Sequence, residues 1–439
     1  MNVKTTRTLG KLITLSLIAS TMIHATNGDN LIALGTKARG MGGTGIAISH
    51  GAESGLSNPA LITSVESTEI TFGGTLFMPD IKTGFGNSTF GQPATLTTSD
   101  ADLNMIPEVS IAHKINDNWY IGVGMWGTAG MGTDYSNAGQ DAFGQNINMG
   151  MVTNLQLMQF GVPIAYKTGG LSLAVTPIVQ YGNLDIDYDG NLLAGVNAPN
   201  QPMPYNFVPV NAGAGIAQDF GFGYNLGIAY DFAAQGMAGL TLGATYKSSI
   251  EMDYDNQLTS ATQPFVNMGI FPAGAITDTL EQPSEYGAGI AYVTGQHTFA
   301  FDYKKIQWSD TKGYGDFGWE DQDVYAFGYQ YAQDNWALRA GYNYADSAVV
   351  EQNGATPSGA ALNFFNLLGF PATAESHYTV GGSYVFSEQF SVDLAYVYAP
   401  KTTETFGLSA FQSYSNYNPD SITTSHREDS ISFQLVYKF

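Results

Sequence analysis

The last ten residues of the chain, Ser430–Phe439, read SISFQLVYKF. Every second position from Ile431 to Phe439 is apolar or aromatic, and mostly polar residues stand between them. Successive side chains of a strand point to opposite faces, so this alternation predicts a strand with one apolar face that runs to the final residue. An ordinary edge strand of a soluble sheet would show the same pattern, so the rest of the chain decides between the two.

The opposite end of the chain has the parts of a secretory signal peptide. Lys4, Arg7 and Lys11 form a basic region, the apolar stretch 12–23 is too short to cross a bilayer, and Ala25 is a small residue suited to cleavage. The sequence predicts a signal peptide over residues 1–25, with a retained helical anchor as the alternative. Its removal takes away three basic residues and no acidic one, which lowers the net charge from -22 to -25.

The composition excludes several classes of protein. No uncharged apolar run reaches the ~18 residues that a spanning helix needs, which argues against a helical membrane protein. With 38 acidic against 16 basic residues, the chain has no basic surface for nucleic acid, and no such partner is expected. It has no cysteine, so disulfides and thiol chemistry are excluded. No Ser/His constellation can be placed, so a barrel enzyme such as a phospholipase is disfavoured.

The same period-two alternation recurs about fourteen times between residue 69 and the end of the chain. Short and long connections alternate, the long ones including 78–107, 188–218 and 399–429. An even number of strands joined in this way is typical of a bacterial outer-membrane barrel. We therefore predict an all-β fold, a transmembrane barrel of about fourteen antiparallel strands over residues 67–439, located in the outer membrane. The C-terminal alternation resembles the signal read by the barrel assembly machinery, an expected partner together with outer-membrane lipid, and we expect a monomer.

Residues 26–66 do not fit the strand pattern and are rich in glycine. Gly40, Gly42, Gly43 and Gly45 match the G-x-G-x-x-G spacing of dinucleotide sites, but no βαβ unit surrounds them. Close packing of backbone inside a narrow lumen accounts better for these glycines. We predict that this segment is a plug, called the hatch below, since an unfilled barrel of this size would be a pore.

The tripeptide Asn58-Pro59-Ala60, which follows this glycine-rich run, resembles a motif of the FadL family of outer-membrane transporters for long-chain fatty acids and other hydrophobic compounds. Further stretches fit the same family in the same order, namely 122–127, 162–167, 240–248, 308–309 and 338–342. One departure is Lys247, where members often carry arginine.

The resemblance implies a fourteen-stranded barrel, a hatch, and a kink in the third strand that opens a lateral gap. Gly122, Gly124 and Gly127 support the gap independently, because glycine weakens strand pairing and marks bends. The implied activity is passive transport of hydrophobic compounds, most of all long-chain fatty acids. Uptake of alkanes or aromatic hydrocarbons is the alternative within the family, and a nonspecific porin is the alternative outside it.

Two sets of residues are candidate ligand contacts. Leu362, Phe365, Leu368 and Phe370 lie in an apolar stretch of a predicted exposed loop, where they would line a capture groove or pack against another loop. The alternation also directs three cations into the lumen, where they would meet a carboxylate ligand or pair with acids such as Asp302 and Asp393: Arg339, Lys247 and Lys304.

Asp185, Asp187 and Asp189 share one face at the outer end of the fifth predicted strand. Such closely spaced carboxylates repel one another unless they are solvated, protonated or bridged by a cation, and their spacing resembles the opening of a calcium loop. The alternatives are a solvated acidic rim and a Ca²⁺ site. No other cofactor is expected.

Overall fold

The structure, a computed structural model, describes residues 26–141, 144–194 and 206–439. The predicted signal peptide lies outside the described residues. The barrel strands are β1 Thr68–Gly86, β2 Asn104–Lys114, β3 Trp119–Asp134, β4 Val152–Gly161 continued by Ile164–Thr168, β5 Leu171–Ala194, β6 Ala217–Asp231, β7 Leu240–Lys247, β8 Glu285–Thr294, β9 His297–Ile306, β10 Gln322–Ala332, β11 Trp336–Tyr344, β12 Ser376–Val385, β13 Phe390–Gly407 and β14 Ser421–Lys438.

Each strand pairs antiparallel with the next, and the ring closes between β14 and β1. This seam runs from Ser421 opposite Gly86 to Lys438 opposite Glu69. The final residue extends it, because the amide of Phe439 donates to the carbonyl of Thr68 at 3.0 Å. The fourteen-stranded closed barrel predicted from the sequence is confirmed.

The two faces of the wall differ as the alternation requires. On β14, Ile431 and Phe433 are 47% and 44% exposed, whereas Ser432 and Gln434, which alternate with them, are buried. Aromatic side chains stand on the outer face near the ends of the strands, as in other barrels with an apolar band between two aromatic girdles. The outer face is therefore the lipid-facing side, and the inner face is covered by protein.

Several strands extend beyond the predicted limits, so parts of the predicted long loops are strand. β1 continues to Gly86, β13 to Gly407, and β14 begins at Ser421. The outer ends of β13 and β14 are rich in threonine, whose β-branched side chain favours strands. The apolar alternation is lost there, and that loss led to the prediction of loops at 78–107 and 399–429.

The remaining elements are short. The helices are α1 Thr36–Gly40, α2 Ser54–Ser57, α3 Leu258–Asn267 and α4 Pro357–Gly369, with 3₁₀ turns at Gly51–Glu53, Pro59–Ser64, Ser88–Phe90, Ile147–Gly150, Phe232–Gln235 and Ser409–Ser413. The additional short strands are Thr26–Asn27, Asn30–Leu31, Thr97–Thr98, Asn206–Gly213, Ile250–Asp253 and Thr279–Gln282. None of the described helices is long and apolar enough to cross a bilayer.

The segment 27–65 lies inside the ring of strands. Its α1 helix packs on the inner faces of β11 to β13, and the turn Pro59–Ser64 packs on β5 and β6. Met41, Ala60 and Ile62 have no exposed surface. The hatch thus replaces water along the inner wall and joins strands from both sides of the barrel.

Candidate functional site

The motif Asn58-Pro59-Ala60 attaches the hatch to β6. The buried Asn58 side chain accepts a hydrogen bond from the Ala60 amide at 3.1 Å and so caps the 3₁₀ turn that follows. Its amide nitrogen donates to the carbonyl of Ile46 within the hatch at 2.6 Å and to the carbonyl of Ile228 on β6 at 3.1 Å. One side chain therefore links a turn, a neighbouring hatch segment and the wall.

The glycine run attaches the opposite side of the hatch to the wall. Gly42 and Gly43 have φ of 68° and 89°, a backbone conformation that favours glycine. The Gly42 amide donates to Thr379 Oγ1 at 2.9 Å, and the Gly42 backbone lies directly against Gly341 on β11. A β-carbon on Gly40 would lie 3.1 Å from the backbone of β12. These glycines thus allow backbone-to-backbone contact, as the sequence predicts.

Buried charges connect the hatch to the wall at several points. The Arg39 guanidinium lies 3.6 Å from Glu108 on β2, and the Lys37 ammonium lies 3.7 Å from Asp393 on β13. Glu108 also accepts the amide of Gly35 at 2.9 Å. A charge buried without its partner is costly, so these pairs hold the hatch in one position.

Glu53 is a buried hatch carboxyl within this network. It accepts the amides of Lys37 and Ala38 at 3.2 and 3.3 Å. Burial raises the pKa of Glu53 to about 7, although the Lys37 charge opposes the shift. The docked hatch therefore favours the protonated form of this group.

Arg339 points into the lumen, as its position in β11 predicts. Its Nε donates to Gln330 Oε1 at 2.7 Å, its Nη1 donates to Ser383 Oγ at 2.6 Å, and Asp393 lies 3.9 Å away. This geometry favours the ion-pair alternative for Arg339. Asp302, the other predicted acid, instead accepts two hatch amides at 2.7 and 2.9 Å.

Lys247 and Lys304 also point inward, and both line one lumen cavity of about 70 Å³. Lys247 pairs with Glu285 at 3.0 Å, a partner that the sequence reasoning missed. The Lys304 ammonium contacts the carbonyl of Ile32 in the hatch at 3.5 Å, the limit of a hydrogen bond. Lys304 is therefore the least firmly engaged of the three predicted cations.

The continuous strand pairing of the barrel wall is interrupted at β3. Its pairing with β2 ends at Trp126 opposite Glu108, whereas its pairing with β4 continues through a register shift between Gly127 and Ala129. Residues 127–133 follow the last pair with β2 and have no partner on that strand. All residues from Trp126 to Thr133 are buried, although successive side chains of a strand point to opposite faces. The outer half of β3 thus bends into the lumen, where Ala129 pairs with Asn30 of the hatch.

Of the three predicted gap glycines, only Gly127 lies at this bend. Gly122 and Gly124 lie before it, in the part of β3 that still pairs with β2. Gly124 makes room for the buried Trp126 ring, which covers it on the lumen side. Gly124 also borders a lipid-facing apolar groove of about 570 Å³. Trp126, which the sequence reasoning passed over, thus separates the lumen from this groove.

The predicted capture stretch is not an exposed loop, and that part of the prediction is wrong. It forms α4, in which Phe365, Leu368 and Phe370 are buried and Leu362 is partly buried. The Phe365 ring lies 5.1 Å from Phe265 of α3. Apolar side chains of two long loops pack together here because burial removes them from water. The geometry matches the loop-packing alternative, and a role in capture stays a prediction.

Asp185, Asp187 and Asp189 point outward from the extension of β5, beside the strand Asn206–Gly213. Within residues 26–141, 144–194 and 206–439, no group of three or more His, Asp or Glu side chains is arranged to hold a metal ion. The calcium site stays a prediction, as does the acidic rim.

Comparison with known proteins gives a consistent result. The family model described as "Outer membrane protein transport protein (OMPP1/FadL/TodX)" matches residues 17–439. Outer membrane protein P1 of Haemophilus influenzae is 25% identical over 425 residues, which cover 87% of this chain and 89% of that protein. The long-chain fatty acid transport protein of Escherichia coli O6:H1 is 24% identical over 391 residues, which cover 80% of this chain and 82% of that protein.

Two solved structures show the same fold. A FadL homologue of Pseudomonas aeruginosa superposes with a TM-score of 0.67 at 14% identity and covers 94% of this chain and 100% of its own. The toluene transporter TodX of Pseudomonas putida superposes with a TM-score of 0.64 at 17% identity and covers 93% of this chain and 99% of its own.

A first prediction concerns the glycine contact between hatch and wall. Gly42→Ala should loosen the hatch and raise ion conductance in planar bilayers, because its β-carbon would lie 2.5 Å from the carbonyl of Phe327. The left-handed backbone alone costs an alanine roughly 1–2 kcal/mol. Gly91→Ala is the matched control, since Gly91 has φ 65° with no atom within 4 Å of its added β-carbon. Equal conductance in both variants would contradict the contact.

A second prediction concerns pH. A carboxyl whose pKa is raised on docking binds its proton more tightly in the docked state. Docking should therefore be most stable below the ordinary pKa of 4.5 and lose stability as the pH rises through about 7. Proteolytic release of the hatch should increase from about pH 5 to about pH 8, and increase less in Glu53→Gln, which imitates the protonated group. An identical pH response in both proteins would contradict this assignment.

Proposed function

The chain belongs to the OMPP1/FadL/TodX family of outer-membrane transport proteins, and on this premise we propose that it carries long-chain fatty acids across the outer membrane. Relatives whose names state an activity are transporters, of long-chain fatty acids in one case and of toluene in another. Transport of hydrophobic compounds is therefore the activity of the family, and the substrate within that class is the open question for this chain.

The lumen cavity is the observation that favours a fatty acid. It combines apolar hatch residues, Ile32 and Ile46 among them, with the ammonium groups of Lys247 and Lys304. The carboxylate of Glu285 neutralises only one of these lysines by direct pairing. An amphiphile with an anionic head would find an apolar wall and a weakly engaged cation within the same cavity.

The cavity is small, so transport needs the hatch or the wall to move. A nonspecific porin is disfavoured because hatch backbone packs directly on the inner wall, as Gly42 does on Gly341. Uptake of a neutral hydrocarbon remains the alternative, supported by the fold shared with the toluene transporter. A hydrocarbon would use the apolar surfaces alone and gain nothing from Lys304.

The bend of β3 is the proposed exit. Beyond Trp126 the strand no longer pairs with β2, so the wall is broken where an apolar compound would leave for the lipid. The apolar groove outside Gly124 lies next to this break and offers a surface on which such a compound would emerge.

A third prediction tests the ligand class. Lys304→Gln should weaken binding of oleate roughly ten-fold while leaving binding of a neutral alkane of similar length unchanged, because it removes a charge-assisted hydrogen bond. Tryptophan fluorescence of the purified protein in detergent measures both. Arg339→Gln is the comparison, since Arg339 is engaged with Asp393 and should affect both ligands alike. Equal loss for oleate and alkane in Lys304→Gln would favour the hydrocarbon alternative.

A fourth prediction tests the exit. A β-carbon on Gly127 would lie 3.7 Å from that of Ile106, a separation suited to a disulfide. In this cysteine-free chain, oxidised Ile106→Cys/Gly127→Cys should tie β2 to β3 and block uptake, and reduction should restore it. Undiminished uptake with the disulfide formed would exclude this route.

A further inference from the structure

A second break in the wall lies between β6 and β7. The pairing of these strands ends at Asn225 opposite Lys247. Ser248 and Ser249 belong to no strand, and the chain resumes as the short strand Ile250–Asp253, whose strand partner is Thr279–Gln282 in a separate two-stranded sheet. The β7–β8 hairpin therefore leaves the wall at Ser248.

The displaced hairpin lies on the lumen side of β5 and β6. Ile250 packs against Gly221 and Gly223, both of which face inward on β6. The sulfur of Met252 accepts a hydrogen bond from Gln180 on the inner face of β5 at 3.0 Å. Two glycines in succession on the inner face of β6 thus make room for a ribbon that would otherwise continue the wall.

Few bonds close this break. The Ser248 amide donates to the Tyr224 carbonyl, and the Tyr224 amide donates to Ser248 Oγ, both at 2.9 Å. Above them, the Asp253 amide donates to the side chain of Asp219 at 2.7 Å. Within the described part of the chain, the outer stretch of β6 from Asp219 to Gly223 pairs as a strand with β5 alone. A single residue, Ser248, therefore closes the lower edge of the break through its amide and its hydroxyl.

The break lies beside a row of outward-facing tyrosines on neighbouring strands. Tyr224, Tyr246 and Tyr286 stand on β6, β7 and β8, with ring centroids 6.0 Å and 5.1 Å apart. All three are at the end of the paired region farthest from the periplasmic turns. Tyrosine favours the membrane–water interface. Phe222 and Phe220 are exposed on the same face of β6 beyond Tyr224, so the break lies within the outer part of the lipid-facing wall.

Behind the break is the lumen cavity described above. Tyr224 and Ser248 line it together with Lys247, Lys304 and Thr128, the last of which lies in the register shift of β3. One cavity therefore reaches both breaks of the wall. The β3 side presents Thr128 and the neighbouring Gln159, whereas the β6–β7 side presents hydroxyl and ammonium groups together with the Glu285 carboxylate.

We propose that the β6–β7 break is a second lateral opening, through which an amphiphile with an anionic head passes between the outer leaflet and the lumen cavity. The inference rests on the proposed function, since it names a further route to the same cavity. Such a ligand would place its head beside the hydroxyl groups of Ser248 and Tyr224 and meet Lys247 and Lys304 as it moves inward. Opening requires the two hydrogen bonds between Ser248 and Tyr224, called the serine latch below, to break. It also requires the hairpin to move away from Gly223.

The decisive experiment locks the hairpin to β6. The side chain of Ile250 lies 2.6 Å from the position of an added Gly223 β-carbon, so Gly223→Cys/Ile250→Cys should form a disulfide. We expect its oxidised form to lower oleate uptake by cells that depend on this protein roughly ten-fold, with recovery on reduction. The matched control is Val380→Cys/Tyr396→Cys, a directly opposite outward pair in the continuous β12–β13 wall, which should take up oleate at the same rate in both states.

A second variant acts in the opposite direction. Ser248→Ala removes the acceptor for the Tyr224 amide and should raise oleate uptake roughly three-fold, whereas the neighbouring Ser249→Ala keeps both latch bonds and should not. If the cysteine pair fails to fold or to oxidise, this comparison decides alone, and equal uptake by the two serine variants overturns the opening.

The outcomes separate this inference from the proposed function. If the wild type takes up oleate and the oxidised Gly223→Cys/Ile250→Cys variant does so at the same rate, the second opening is overturned and the proposed function stands. Absence of oleate uptake by the wild type, with uptake of toluene retained, overturns the fatty-acid assignment. Toluene uptake that falls on oxidation together with oleate uptake overturns the selectivity for an anionic head.

Discussion

The constraint on which this structure depends is that a backbone amide or carbonyl facing lipid must have a hydrogen-bond partner within the protein. The continuous antiparallel ring meets it along most of the wall, from the β14–β1 seam onward. At the two places where the ring is interrupted within the described residues, between β2 and β3 and between β6 and β7, the displaced strand has a partner inside the lumen. The outer half of β3 pairs with Asn30 of the hatch, and the ribbon beyond β7 pairs with Thr279–Gln282. Interruptions of the wall are thus compatible with the membrane because their backbone is satisfied behind it.

The hatch is held by two kinds of contact that differ in physical character. Glycine contacts such as Gly42 on Gly341 are short-range and steric, so they set the distance between hatch and wall. The buried pairs Arg39–Glu108 and Lys37–Asp393 are electrostatic, and they penalise any position in which a charge loses its partner. Together they define one docked position, and the raised pKa of the buried Glu53 makes that position responsive to protonation.

Much of the fold could be predicted from the sequence, because a barrel wall imposes a period of two on every strand. That period gave the number of strands, the closing strand and the inward direction of Arg339, Lys247 and Lys304. The period of two predicts the face of the strand on which each cation lies, but it does not predict which residues of other strands lie beside it. The pairing of Lys247 with Glu285 was therefore not foreseen.

Two features that the sequence did not predict, the inward bend of β3 and the buried helix α4, have physical causes as well. The outer half of β3 consists largely of small residues, Gly127 to Gly132, whose alternation carries no contrast between apolar and polar. The α4 stretch lies in a long connection between two predicted strands, which suggested an exposed loop, and it contains Asn363 and Asn366. Both are fully buried, since their side-chain amides donate to backbone carbonyls of Gln352 and Phe317 at 2.9 Å. Hydrogen bonds of this kind join residues that are distant in the sequence, so they cannot be predicted from the sequence alone.

The seam between the first and last strands has a consequence for how the chain reaches this state. β1 and β14 are joined by pairs that span almost the whole sequence, Glu69 with Lys438 among them. Contacts so distant along the chain form late, since their loop-closure entropy is paid before they stabilise anything. The hatch, which precedes β1, lies inside the ring that this late step completes. Its burial and the closing of the seam are therefore coupled events in biogenesis, and a chain that lacks its final strand would leave the hatch without an enclosure.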